Sequence, residues 1–506
     1  MFQAVLAQSS MLSDINAFLP EIYLTVGLLL VVIIDLLPGM ADRRIPALLS
    51  LVGLLFAART LWEQMGSGES VEAFGGLFLV DQFAVFFKLF TCVAVTIVIL
   101  YSLAWKRLEN RMGEYYLVLM SAVLGIFILV SSQHLLMVYI GLELLSIPSY
   151  ILTGYFKGNL KSSEASLKYV IYGSVASGTM LYGFSLLYGL TGTLRLDEIG
   201  PALAQAFSED GNPQATGLAF LMILAGFGYK IAAVPFHYWL PDVYQGAPIP
   251  ITTFLAVASK GAGFAILLRY MYLLYGSPDG LGGLESVDAT VWMDKLSLLI
   301  GVIAAVTMTL GNLAALRQKN AVRLFAYSSI AHAGYLLMGV AVINQAGAEA
   351  VLFYLVAYLI MTLGAFGMII FLSNSVGSEE IEDFRGAGWK APIVCGAFVM
   401  MLVSLVGLPP SAGFVGKWYL FKGVVESGML WLAVIAGLNS AVSLYYYFRL
   451  TKALFLEKSE KEYSLKRSPV MSAIIIGLGV LVVYFGLSWG GLADLVQRAN
   501  LFALAQ

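Results

Sequence analysis

The chain has 506 residues, of which 59% are hydrophobic and 12% charged, with a formal net charge of −2. Its mean hydropathy of +0.85 marks more apolar surface than one soluble core could bury, which excludes an ordinary soluble fold and defines a polytopic membrane protein. Cys92 and Cys395 lie in different apolar segments and offer neither a disulfide framework nor the spacing of a zinc or iron–sulfur site.

Taken in chain order, the first apolar run covers about 22–37 and lacks a basic leader and a small-residue cleavage site, so it reads as a spanning helix rather than a signal peptide. A helix needs about 20 apolar residues to cross the hydrocarbon. Such segments recur near 22–37, 44–62, 80–105, 114–132, 134–155, 166–192, 216–240, 248–275, 291–316, 322–344, 349–374, 391–425, 429–452 and 469–490, fourteen in all. They are too long, and alternate too little, for barrel strands, so the expected fold is all-α. Mixed polar segments near 195–212 and 377–390 follow the sixth and eleventh spans and are expected to lie along the membrane faces.

Loop charges give an independent check on the span count. One side collects Arg43, Arg44, Lys106, Arg107, Arg111, Lys157, Lys161, Lys168, Arg317, Lys319, Arg323, Arg385, Lys390, Arg449, Lys452, Lys458, Lys461, Lys466 and Arg467, whereas the other has Arg59, Arg195, Lys295, Lys422 and Arg498. Cytoplasmic loops carry the lysine and arginine excess. An even number of spans with both termini periplasmic follows.

Lys230, Lys260 and Lys417 lie inside long apolar segments. A charge at the bilayer centre costs at least ~2.5–3.5 kcal/mol, so such residues persist only when paired, hydrated or used. Two segments also carry breaks. The seventh reads Gly226-Phe-Gly-Tyr-Lys230-Ile-Ala-Ala-Val-Pro235-Phe-His237-Tyr-Trp239-Leu-Pro241, and the twelfth reads Leu405-Val-Gly407-Leu-Pro409-Pro410-Ser-Ala-Gly413-Phe-Val-Gly416-Lys417-Trp418. Proline removes a backbone donor and clashes with the preceding turn, and interrupted backbone survives at membrane depth only when buried in protein or lining a wet cavity. The breaks are five helices apart, and an odd offset reverses helix direction. Two inverted five-helix repeats, the architecture of transporters, are therefore expected over 114–275 and 291–452, preceded by three spans in 1–113 and followed by a loop and last span in 453–506. Neither glycine-rich break has the spacing of a phosphate loop, and nothing suggests nucleic-acid binding.

These residues resemble a known family. The strings Tyr139-Ile-Gly-Leu-Glu143, Gly228-Tyr-Lys230 through Pro241-Asp242, Ala326-Tyr-Ser-Ser-Ile-Ala-His332-Ala-Gly-Tyr335 and Gly407-Leu-Pro-Pro-Ser-Ala-Gly413-Phe-Val-Gly-Lys417 look like those of the antiporter-like membrane subunits of respiratory complex I. Within that group the N-type branch fits best: M-type members carry glutamate where this chain has Lys417, and L-type members have a long lateral helix after the last span. The resemblance implies proton translocation driven by quinone reduction elsewhere, along Glu143, Lys230, Lys260, His332 and Lys417 in that order. It implies no cofactor in this chain, with quinone, flavin and iron–sulfur clusters in partner subunits. K- and M-type neighbours, the lateral helix of an L-type subunit, the lipid bilayer and a bacterial inner membrane are implied as surroundings. The chemistry agrees: a lysine opposite a glutamate stays charged and one separated from it can release its proton, while histidine passes protons either way near neutrality.

Each residue has a plainer reading beside it. The plainer reading, secondary to transport in each case, is a static ion pair for Glu143 and Lys230, a structural charge for Lys260, a snorkelling residue near Lys422 for Lys417, and a hydrogen-bonded packing residue for His332. His237 is read as capping the seventh-span break, and His134 as ordinary at the outer membrane edge. For Asp35, Lys88 and Arg269, pairs that lock helices together explain the charge as well as conduction does. Glu114 begins the fourth span, where the helix terminus favours a carboxylate. A multisubunit cation/proton antiporter is the alternative function. A redox enzyme in its own right lacks a thiolate cluster, a dinucleotide fingerprint and enough histidine. Reporters fused at either terminus should read periplasmic; a cytoplasmic C-terminus would overturn the fourteen-span topology.

Overall fold

The computed structural model describes residues 11–37, 44–108, 112–208, 213–275, 287–458, 465 and 468–499. Arg43, Arg111, Lys461, Lys466 and Arg467 of the loop-charge count, and 209–212 of the first polar segment, lie outside the described residues. Thirteen described helices are long and apolar enough to cross a membrane. The remaining span is the twelfth, split into Pro392–Val406 and Ala412–Glu426. In order, the spans before it are Leu19–Leu36, Arg44–Ser67, Gln82–Ala104, Gly113–Val130, Leu135–Thr153, Leu160–Thr191, Pro213–Ile231, Ile249 to Tyr275, Val287–Ala315, Ala321–Val342 and Gln345–Val376. After it come Leu430–Phe455 and Pro469–Leu487.

Three local features interrupt the plain succession of spans, the second of them the expected break of the seventh. A small antiparallel hairpin, Val71–Ala73 with Phe78–Val80, interrupts the all-α pattern between the second and third spans. The seventh span stops at Ile231, and the chain turns through 232–239 before a short helix Leu240–Gly246. The eighth widens into a π-helical turn, Leu255–Ser259, that ends where Lys260 begins. Of the two polar segments, the first forms the helix Leu196–Ser208, and the second holds a 3-10 turn Ile381–Phe384 and a short helix Ala387–Lys390.

Burial separates an inner set of helices from an outer one. The eighth span is 100% buried and the tenth and eleventh 94%, whereas the first and last are 28% buried. Lys260 and His332 therefore sit on helices with almost no lipid face, where every polar group must find a partner inside the protein.

Two buried ion pairs fasten the first three spans, one among themselves and one to the eighth span. Lys88 on the third span meets Glu21 on the first at 2.6 Å, both side chains almost fully enclosed. This is charge contact rather than an aligned hydrogen bond, since neither Glu21 oxygen nor Lys88 Nζ has a partner in hydrogen-bonding geometry. On the eighth span Arg269 grips Asp81 with two bonds of 2.9 and 2.8 Å, over the ring of Phe83. Asp81 also accepts from Ala84 N–H at 2.8 Å, capping the third span. Breaking a buried pair by removing one charge costs about 3–5 kcal/mol, because the other is left unpaired. Asp81→Asn keeps a capping oxygen but strands Arg269, so it should lower the melting temperature of the purified protein sharply. Asp81→Asn with Arg269→Met should recover most of the loss. An unshifted melting curve for the single variant would refute the clamp.

A buried polar axis from Lys230 to Lys417

The two helix breaks are closed by the same backbone device and serve their lysines differently. At the first, Ala233 N–H bonds Gly228 C=O at 2.8 Å and Ala232 N–H bonds Tyr229 C=O at 3.1 Å, the paired bonds of a Schellman cap. The left-handed position is held by Ala232, at φ 60°, where glycine is the usual residue. Lys230 lies in the last turn of this helix, where a cation complements the helix dipole. Val234 N–H, freed by the break, is taken by Thr307 Oγ1 at 3.0 Å.

At the second break the left-handed residue is Gly407, at φ 88°. Leu408 N–H bonds Val403 C=O at 3.1 Å and Gly407 N–H bonds Ser404 C=O at 3.0 Å. The last carbonyls of that half-helix, Leu405 and Val406, accept from Lys417 Nζ at 3.2 and 2.8 Å. Lys417 thus reaches back from the second half-helix onto the negative end of the first. A side chain at position 407 would collide with the Lys417 stem. Ser411 caps the second half-helix through Phe414 N–H.

All three lysines are buried, and none has a carboxylate within 4 Å among the described residues. Their acceptors are neutral. Lys230 donates to Ser146 Oγ at 3.0 Å. Lys260 donates to Ser329 O at 2.6 Å and to Ser329 Oγ. Lys417 donates to its two carbonyls and to Ser440 Oγ at 2.9 Å, with the Tyr335 ring 4.3 Å beneath the ammonium. A hydroxyl can turn to donate to a neutral amine as readily as it accepts from an ammonium, so these sites accommodate either protonation state.

Between Lys260 and Lys417 lie three hydrogen-bonded groups of hydroxyls, the middle one holding an imidazole, that meet through ring contacts. Tyr358 O–H donates to Ser329 Oγ at 2.9 Å. His332 Nδ1 meets Tyr354 Oη at 2.6 Å and Nε2 meets Tyr447 Oη at 3.2 Å, and Tyr447 bonds Ser328. The His332 ring lies 5.3 Å from that of Tyr358 and 5.9 Å from that of Tyr335. Tyr335 Oη meets Ser440 Oγ at 3.2 Å, and Ser440 is the group that holds Lys417. At the near end, Gly263 on the eighth span lets the Lys230 stem approach one turn beyond Lys260; an added Cβ there would sit 3.2 Å from Lys230 Cγ.

Lys260, His332 and Lys417 are therefore brought onto one axis, and Lys417 does not snorkel. Lys422 is the residue at the exposed surface, 3.8 Å from Glu426. The expected Glu143–Lys230 ion pair is not formed: Glu143 is half-buried and shares with Lys230 a crevice of about 20 Å³, room for about one water. His237 lies buried in the first break, where its side chain interacts with the Pro235 backbone, and its carbonyl accepts from Leu240 N–H at 3.1 Å. His134 caps the fifth span through Leu136 N–H. Asp35 and Glu114 are exposed, and Lys88 and Arg269 are the helix locks described above. Asp242, after the first break, bridges Lys168 and Arg323, each at 2.6 Å, on the face bearing the basic loops.

The tyrosines, Ser146, Ser329 and Ser440 escape a search for ionisable residues in apolar runs. One signal was present: hydroxyl residues recur beside His332 and four residues apart at Tyr354 and Tyr358, one helical turn. Glu21 carries the same burial penalty as Lys88 and was readable by the same rule.

Two broken spans and three buried lysines on neutral acceptors, with a buried imidazole between Lys260 and Lys417, are the features of an ion-conducting membrane module. The chain belongs to the NADH:quinone oxidoreductase/Mrp antiporter transmembrane family, whose model matches residues 132–443. It is 44% identical to NADH-quinone oxidoreductase subunit N 2 of Chloroherpeton thalassium over 96% of this chain and 94% of that one. Among solved structures it is similar to a chain of Thermus thermophilus respiratory complex I with bound aureothin, at 33% identity and TM-score 0.77, covering 94% of this chain and 98% of that one. A chain of the Mrp complex from Dietzia shares the fold at TM-score 0.81 and 20% identity, over 96% of this chain and 97% of that one.

Ser440→Ala should remove the junction between Tyr335 and Lys417, leaving Lys417 its two carbonyls. Coupled proton uptake in vesicles should fall several-fold at unchanged protein content. Ser443→Ala, on the same helix with its Oγ turned to Ser440 O at 2.7 Å, should leave uptake near normal. Equal behaviour of the two variants would remove Ser440 from the path.

Proposed function

We propose that this chain is the N-type proton-translocating membrane subunit of a respiratory NADH–quinone oxidoreductase, and that protons pass along Glu143, Lys230, Lys260, His332 and Lys417. The observation that carries this reading is the line of neutral acceptors from Lys260 to Lys417, because a relay needs groups stable both before and after they give up a proton. Within each hydrogen-bonded group a donor passes a proton to the hydroxyl or imidazole it touches, which releases its own to the next, so charge is conserved at every transfer; the ring contacts on either side of His332 are crossed by side-chain rotation. Glu143, in the crevice of Lys230, sets the electrostatics at the near end. Electrons pass elsewhere, with flavin, iron–sulfur clusters and quinone in partner subunits.

Under this reading the two halves, 114–275 and 291–452, are inverted repeats, and K- and M-type subunits and the lateral helix of an L-type subunit pack around them. The chain lies in a bacterial inner membrane. A multisubunit cation/proton antiporter shares the fold, but identities of 44% and 33% to complex I proteins against 20% to the Mrp chain favour the first reading. Co-purification separates the two, since flavin and iron–sulfur subunits accompany only the first.

Lys417→Ala removes the terminal proton site but leaves Gly407, the double proline and the Schellman bonds, so the complex should assemble. Losing one acid–base group should lower proton uptake by about 10²-fold or more. Proton uptake and quinone reduction in vesicles with matched amounts of complex measure this. Full coupling in the alanine variant would overturn the role of Lys417. Glu143→Gln tests the near end in the same assay: impaired pumping is expected, and normal pumping would make Glu143 structural.

A further inference from the structure

The proton axis leaves unused a groove on the outer surface of the molecule, where the ninth and thirteenth spans meet. It holds about 940 Å³, is walled by residues including Ala305, Leu310, Leu313 and Ile435, and ends at Arg317 and Gln318. From position 305 to its end at Ala315 the helix advances about 15 Å, matching the ~15 Å that one leaflet contributes to a ~30 Å hydrocarbon core. The groove therefore runs from mid-membrane to headgroup level on the face that carries the basic loops.

The mouth is positive. Arg317 and Lys319 are exposed, Arg449 is half-buried, and none of the three has an acidic partner within 4 Å among the described residues. Arg449 donates to Leu316 O at 3.1 Å and to Gln318 O, which fixes the loop that presents Arg317 and Lys319. Lys319 stands where the groove meets an adjoining cleft of about 420 Å³ that also holds Glu382, Arg385, Lys452 and Glu457, and there Glu457 holds Arg385 and Lys452 at 2.7 and 3.0 Å. Uncompensated charge is thus concentrated at the end of the groove.

We propose that this groove binds an anionic phospholipid of the leaflet on the basic-loop side, with an acyl chain along the apolar wall and the phosphate at Arg317 and Lys319. The polarity gradient matches such a molecule: apolar from mid-membrane outward, cationic at headgroup depth. A neighbouring transmembrane helix fits less well, because a helix with its side chains is about 10–12 Å across and the furrow between two packed helices is narrower. Basic residues at the membrane surface favour anionic over zwitterionic lipid, and two unpaired ones should enrich it several-fold.

The test places a benzophenone amino acid at Leu313, or at exposed Leu438 outside the groove, in the intact complex. The complex is reconstituted in vesicles of equal phosphatidylglycerol and phosphatidylethanolamine, irradiated and weighed by intact-mass spectrometry. Position 313 should yield lipid adducts enriched about fivefold or more in phosphatidylglycerol, and position 438 adducts at the vesicle ratio. Arg317→Gln with Lys319→Gln should bring position 313 back to the vesicle ratio while adducts still form. An adduct with a neighbouring subunit at 313, no lipid adduct there when 438 gives one, or an unenriched ratio in the unaltered mouth would each overturn the proposal.

Discussion

An ammonium group inside a bilayer must be served by hydrogen-bond acceptors or it is not tolerated. How this chain meets that demand shapes the rest of the structure. A carboxylate beside each lysine would satisfy the charge and trap it. Lys88 with Glu21 and Arg269 with Asp81 take that solution, and they act as fixed fastenings, the first between the first and third spans and the second between the third and the eighth. Lys230, Lys260 and Lys417 take the other, resting on serine hydroxyls and backbone carbonyls. The same residue type is thus a lock or a carrier according to the charge of its partner.

Neutral acceptors at membrane depth have to come from somewhere, and the broken helices supply part of them. An unbroken helix spends its carbonyls on its own ladder, leaving the last four free only at its end. Ending a half-helix at Val406 brings two such carbonyls into the interior for Lys417. Lys230 gains instead from its position in a terminal turn, and the π-helical turn before Lys260 widens the eighth span where that lysine leaves it. Packing completes the arrangement: the eighth, tenth and eleventh spans are sheathed by others, so the hydroxyl line between Lys260 and Lys417 is kept from lipid.

Much of this was legible in the sequence, because hydrophobic length and proline are strong signals in a membrane. The spans, the two breaks and the three buried lysines follow from residue type and spacing, whereas Glu143 and His332 came with the family resemblance. What was hidden depends on contacts between distant segments. Glu143 and Lys230 read as a pair, yet the amine turns to Ser146, one helical turn from Glu143. His237 read as a cap, yet the break is closed by backbone bonds around Ala232, a residue with no propensity for that conformation. The breaks looked equivalent because each holds a lysine; one lysine precedes its break and the other follows. Tyr335, Tyr354, Tyr358 and Tyr447 were invisible because a tyrosine in an apolar helix is ordinarily just core.

Direct observation of lysine protonation during turnover tests the relay most sharply. Redox-triggered infrared difference spectra of the assembled complex in vesicles, with Nζ of lysine labelled with the heavy nitrogen isotope, would report it. Proton carriage requires isotope-sensitive ammonium bands that change when NADH is added, and that lose a component in Lys260→Gln. Lysine bands that stay silent while protons are pumped would contradict it, and would leave the buried lysines as fixed charges.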